Sequence, residues 1–134
     1  NGYDCIKIPD LILTNNNTYI AFGEARKDSC GDYAGTDLVY KRSFDNGLTW
    51  TSLKVLYSNS TLNISNVIGN AAPIQDNRGR IWVPFTRNNR EVYMMYSDND
   101  GETWSKPRGP MKYLTKDEWG WIGLGPPGSL LLKN

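Results

Sequence analysis

Apolar residues along this chain come in short runs, separated by clusters of Asn, Asp, Gly and Ser, and no stretch keeps a helical spacing. Short runs bounded by turn-forming residues are the pattern of strands. Ile6 to Leu13 predicts a strand. Pro9 inside it points to an edge or a strand start, because proline has no N–H to give to a ladder. Asn15-Asn16-Asn17 predicts a turn and Tyr19 to Phe22 the returning strand of a hairpin. Arg26 to Gly35 is polar and contains glycine, so it reads as a loop. Asp37 to Arg42 predicts a third strand and Ser52 to Tyr57 a fourth. The order then recurs. Ala72 to Gln75 is a strand, Asp76-Asn77-Arg78-Gly79 a turn, Ile81 to Thr86 a strand, Arg87 to Arg90 a loop and Glu91 to Tyr96 a strand.

Each round ends in a similar eight-residue turn, Ser43-Phe44-Asp45-Asn46-Gly47-Leu48-Thr49-Trp50 and Ser97-Asp98-Asn99-Asp100-Gly101-Glu102-Thr103-Trp104, and the two start 54 residues apart. The acid or amide at the third position accepts bonds from backbone N–H groups of the turn. The glycine at the fifth supplies a positive φ. The Trp at the eighth packs under the turn. All these roles are structural, so the turns carry no chemistry. A repeat of about 50 residues holding several short strands is the signature of propeller blades. The 134 residues then hold about two and a half blades, with a third unit expected near Trp121 to Leu132, after Gly125-Pro126-Pro127-Gly128. Rings close with about four to eight blades, so the chain is expected to be part of a longer one.

Composition narrows the partners. There are 15 basic and 14 acidic residues, net charge +1, scattered along the chain. Nucleic acid and anionic membranes are therefore not expected partners. No apolar run reaches the length of a membrane span. No signal peptide is visible, although the chain starts in mid-pattern at Asn1. There are no histidines, which excludes His-activated nucleophiles and most zinc sites within these residues. No cofactor is expected, and no acidic cluster suggests calcium. Cys5 and Cys30 fit either one disulfide or two buried free thiols. Three sequons, at Asn16, Asn59 and Asn63, lean toward the secretory pathway, with a secreted, lysosomal or cell-surface location.

The more specific signal is a series of short motifs in a fixed order. Lys7-Ile8-Pro9 is followed by Ala21-Phe22-Gly23-Glu24-Ala25-Arg26, then Ser29-Cys30-Gly31-Asp32, then Asp37 to Ser43, then Gly69-Asn70-Ala71-Ala72-Pro73. From Lys7 to about Leu131 this order and the two Asp-box turns resemble the exo-α-sialidases, trans-sialidases included. The resemblance implies an all-β chain forming part of a six-bladed β-propeller of four-stranded antiparallel sheets, with residues 1–134 as its incomplete N-terminal part. It implies sialylated glycans as partners and the boxes on the face away from the active site. It also implies roles. Sialidases hold the sugar carboxylate with three arginines, whose guanidinium forks match it. The first of these belongs to an Arg-Ile-Pro strand, and Lys7 stands there, keeping the charge without the fork. Asp32 aligns with the acid/base that protonates the leaving oxygen; Asp28 is the nearby alternative. Arg26 would lie beside the ring, and Asn70 would contact the ring or its acetamido group.

The family's Tyr nucleophile, its activating Glu and the other two arginines belong to later blades. Tyr19, Tyr40, Tyr57, Tyr93, Tyr96 and Tyr113 read as core or surface aromatics. The stretch is therefore expected to hold part of a site. Lys7 leaves open a second reading, a sialidase-like protein that binds glycans without cleaving them. A third, an unrelated Asp-box propeller such as a sorting receptor, is disfavoured by the order of the motifs.

Overall fold

A computed structural model describes residues 2–59, 66–126 and 129–131. The Asn63 sequon, most of the Asn59 sequon, Pro127-Gly128 and Leu132 lie outside the described residues. The described residues form no α-helix and two antiparallel sheets.

The first sheet is a meander of β1 (Cys5–Leu13), β2 (Tyr19–Arg26), β3 (Thr36–Ser43) and β4 (Lys54–Tyr57). In the second, β5 (Ile68–Gly69) and β6 (Ile74–Gln75) both lie along one side of β7 (Ile81–Arg87), with β8 (Glu91–Ser97) on the other. Beyond β8 a further segment runs antiparallel, with paired bonds between Met94 and Arg108 at 2.9 and 2.8 Å. Each sheet therefore has four layers, and β5 and β6 are two halves of one interrupted strand.

The two sheets match position by position. Tyr19 faces Ser43 as Ile81 faces Ser97, and Lys7 faces Glu24 as Gly69 faces Thr86. Ile8 and Asn70 fall at the same register position, and both have φ 52°. The register of β1 shifts here, between Lys7 and Asp10, where β5 gives way to β6. An Asn visits this left-handed region readily; a β-branched Ile does so only under constraint. First strands align at an offset of 62 residues (Ile6 with Ile68) and the turns at 54 (Ser43 with Ser97). The difference of eight residues lies between the equivalent pairs Ala25–Asp37 and Arg87–Glu91: the first hairpin adds the pair Arg26–Thr36 and a connection from Lys27 to Gly35, where β7 is followed by a tight turn at Asn88-Asn89-Arg90.

The core sits between the sheets. Ile20, Phe22, Leu38 and Tyr40 of the first face Ile81, Val83, Phe85 and Met95 of the second. Trp104, at the end of the second turn, reaches across to Phe22 and Tyr40, edge to face at 5.9 and 5.6 Å. The turns form as their residues predict. Thr49 N donates to Asp45 Oδ1 at 2.8 Å, and Gly47 has φ 86°. In the second turn Thr103 N donates to Asn99 Oδ1 at 2.9 Å, and Gly101 has φ 76°.

The predicted strands are present, with shifted ends. β2 extends to Arg26 because Glu24 and Arg26, which end the apolar run, are buried as a pair. β5 was not foreseen: two residues ending in Gly carry no strand signal. The expected third unit shows no strand among its described residues; it is tied to the turn between β7 and β8, where Ile122 N donates to Asn89 O at 2.8 Å.

Candidate functional site

Arg26 ends β2 opposite Thr36, while Tyr19 starts it opposite Ser43, so the turns and Arg26 lie at opposite ends of the sheet. At the Arg26 end a cavity of about 360 Å³ opens between the sheets, lined by Ile8, Glu24, Arg26, Asp32, Tyr33, Asn70, Asn89 and Trp121 among others.

Arg26 is the centre of the site, and it is buried. Its Nη2 donates to Glu24 Oε2 at 2.9 Å. Its Nη1 donates to Asp32 Oδ1 at 2.7 Å and to Cys30 O at 3.1 Å. Its buried Nε has no partner among the described residues. The two carboxylates differ in setting. Glu24 is buried, and Asp32 is exposed, with 80% of its side chain open to solvent. The bond from Arg26, then the Arg26 charge and that of Lys7, hold the Asp32 carboxyl below the usual carboxylate range.

Glu24 also reaches the second sheet, where its Oε1 accepts from Asn70 N at 2.9 Å. Asn70 Nδ2 donates to Thr86 Oγ1 at 3.2 Å. Gly69 is required at this approach, because a Cβ there would run into the Glu24 carboxylate. One buried carboxylate thus orients Arg26 in one sheet and Asn70 in the other.

The loop from Lys27 to Gly35 carries Asp32. Lys27 N donates to Gly35 O at 2.8 Å and closes its neck. Lys27 Nζ and Tyr3 Oη both donate to Asp37, at 2.8 Å each. Burial opposes ionisation of Asp37, but bonds from Lys27, Ser58 and Tyr3 outweigh it and keep its carboxyl below the ordinary range. Burial and the bond to Asp37 push the Tyr3 hydroxyl up to about 12. Cys5 and Cys30 are joined as a disulfide with Cα atoms 5.8 Å apart, which settles the alternative that the two thiols left open.

Of the four residues expected from the sequence, Arg26, Asp32 and Asn70 line the cavity. Lys7 is exposed and does not, although its charge reaches Asp32. Asp28 is exposed, has φ 61° and lies off the cavity, as a turn former does. Sequence reasoning missed Glu24 as a functional residue. The signal was its place two residues before Arg26 on a strand, which puts both side chains on one face.

No family model matches the chain. It is similar to an exo-α-sialidase of Aspergillus fumigatus, 26% identical over 164 aligned positions that cover 98% of this chain and 39% of the relative. A sialidase of Clostridium perfringens is 28% identical, over 87% of this chain and 36% of that protein. Among solved structures, a Hadza microbial sialidase superposes with a TM-score of 0.73 at 26% identity, covering 80% of this chain and 26% of that one. The chain is sialidase-like. Trypanosoma rangeli sialidase in complex with the inhibitor DANA superposes with a TM-score of 0.68 at 20% identity, over 87% of this chain and 22% of that one, which extends the likeness in fold. The two sheets are thus blades of a sialidase-type β-propeller, and the chain spans about two fifths of the fungal sialidase it matches.

Proposed function

We propose that this chain is the N-terminal part of a retaining exo-α-sialidase that removes or transfers terminal sialic acid from glycoconjugates. The observation that carries the reading is the cavity in which Arg26, Asp32 and Asn70 meet, in the order in which sialidases present them. Asp32 is the acid/base, Arg26 and Asn70 hold the ring, and Lys7 stands where the first carboxylate-binding arginine belongs. The nucleophile, its activating carboxylate and the remaining arginines come from blades outside these residues. Support for a two-step reaction comes from a structural relative, Trypanosoma rangeli sialidase, described with 2,3-difluorosialic acid as a covalent intermediate. The disulfide supports an oxidising location, secreted, lysosomal or cell-surface.

The bond from Arg26 holds Asp32 as a carboxylate. To protonate a leaving oxygen it must first take up a proton, which removes the charge that pairs with Arg26. A sugar hydroxyl that takes up the guanidinium, whose buried Nε has no partner among the described residues, favours that uptake. A second reading, glycan binding without cleavage, is favoured by Lys7, which lacks the guanidinium fork and lies outside the cavity.

The test is turnover of a fluorogenic α-sialoside by the full-length protein and by its Lys7→Arg and Asp32→Ala variants. Turnover is expected in the parent, with a lower KM after Lys7→Arg. Asp32→Ala should lower kcat on natural glycosides by about 10²–10⁴-fold. No turnover in the parent or in Lys7→Arg would sink the enzyme reading in favour of the binding one.

A further inference from the structure

The loop that carries Asp32 is six residues longer than its counterpart in the second sheet, and little packing holds it. Residues Ser29 to Tyr33 are all exposed. Its neck is closed at Lys27 and Gly35. Its tip is held to the sheet by two contacts, the Arg26 guanidinium, which grips Cys30 O and Asp32 Oδ1, and the disulfide to Cys5. Cys5 lies on β1 opposite Arg26, two residues before Lys7, and Cys30 lies two residues before Asp32.

These two holds act at different times. The Arg26–Asp32 pair has its full strength only while Asp32 is a carboxylate, so it weakens when Asp32 takes up the proton it is to deliver. What then remains of this hold is the Arg26 bond to Cys30 O and a neutral acceptor oxygen on Asp32, which leaves the loop more able to carry Asp32 off the cavity. A covalent tie two residues away does not depend on the protonation state. It restricts the ensemble of a nine-residue loop to conformers that keep position 32 over the site.

We propose that the Cys5–Cys30 disulfide is a positioning device that keeps Asp32 over the cavity once protonation weakens its pairing with Arg26. The proposal rests on the reading of Asp32 as the acid/base. Cys5 and Cys30 then act through Asp32 and touch no substrate.

The test uses the dependence of acid catalysis on the leaving group. A phenol of low pKa departs without a proton, whereas a sugar hydroxyl needs one. The full-length protein is measured oxidised, after dithiothreitol has reduced the cystine to two thiols and become its own cyclic disulfide, and as the Cys5→Ser/Cys30→Ser double variant. Opening the tie is expected to lower kcat/KM on a natural sialyl oligosaccharide by about tenfold or more, with a change below about threefold on an aryl sialoside of an acidic phenol. Equal losses on both substrates, or no loss on either, would overturn the proposal, since unfolding or a passive cross-link predicts those patterns. If the oxidised parent turns over neither substrate, the sialidase reading fails by itself. Hydrogen exchange of residues 27–35 then decides the tie: faster exchange on reduction supports a positioning role, and unchanged exchange refutes it.

Discussion

Glu24 is placed where a carboxylate is costly and is kept there by two donors from different sheets. Its Oε2 pairs with buried Arg26 and its Oε1 accepts from the backbone of Asn70. Removing one partner of such a pair leaves an uncompensated buried charge and typically costs about 3–5 kcal/mol. Glu24→Ala should therefore lower the unfolding free energy by about that amount in urea denaturation, even though Asp32 still faces Arg26. A loss below about 1 kcal/mol would mean that Asp32 alone balances the guanidinium and that Glu24 has no linking role. This residue was hard to read in advance because its value lies in contacts between strands that are far apart in sequence. Arg26 and Asp32, six residues apart, were recognisable from their local motifs. Lys7 was placed correctly on β1 by its motif, but a motif does not say which way a bulged strand turns its side chains, and here the side chain lies outside the cavity.

At the scale of elements, the two turns form a natural comparison. Asp45 accepts from Thr49 N, Thr49 Oγ1 and Ser43 Oγ. Bonds from the Thr49 side chain and backbone, then from Ser43, pull its carboxyl down to about 2 from an ordinary value of 3.8. A lowered folded pKa stabilises above the unfolded value and loses that contribution as pH falls through the folded one. The first turn should therefore weaken between about pH 4 and pH 2. Asn99 makes equivalent bonds in the second turn, with Nδ2 donating to Thr103 Oγ1 at 2.8 Å, and has no proton to gain. Asp45→Asn should leave the melting temperature at pH 7 nearly unchanged and reduce its fall between pH 4 and pH 2. Parallel melting curves for parent and variant across that range would show that the turn makes no acid-sensitive contribution. The turns were also the most legible elements, since all their determinants fall within eight residues. The interrupted strand β5–β6 was half legible: Ala72 to Gln75 has an apolar run, while Ile68–Gly69 depends on pairing with Arg87 and Thr86. The long loop after β2 was read as a loop, but its tie to β1 could not be, because cysteine spacing says nothing about proximity across a bulged strand.

For the molecule as a whole, the two turn tryptophans report how the blades stack. Trp104 is wedged against Phe22 and Tyr40 of the preceding sheet. Around it, Arg42 Nη1 donates to Asp100 O at 3.3 Å, and Gly101 is so close to Ile20 that a Cβ would clash. Trp50, its equivalent in the first blade, instead lines an open groove of about 390 Å³ on the far face of the first sheet, with Ile6, Pro9, Ala21 and Val39, and remains 38% exposed. The same side chain thus closes an interface in one blade and borders a gap in the other. We propose that a further blade, from outside these residues, covers this groove as the first sheet covers Trp104. In the 134-residue chain, Trp104→Ala should then cost about 3–5 kcal/mol, the range for a packed aromatic. Trp50→Ala should cost less, about 1–2 kcal/mol, because part of its surface is already in water. In a longer chain that includes the covering blade, the Trp50→Ala cost should rise to match that of Trp104→Ala, both read from denaturant unfolding. A Trp50→Ala cost that stays the same in both lengths would mean that nothing packs on the groove, and the ring would have to close some other way.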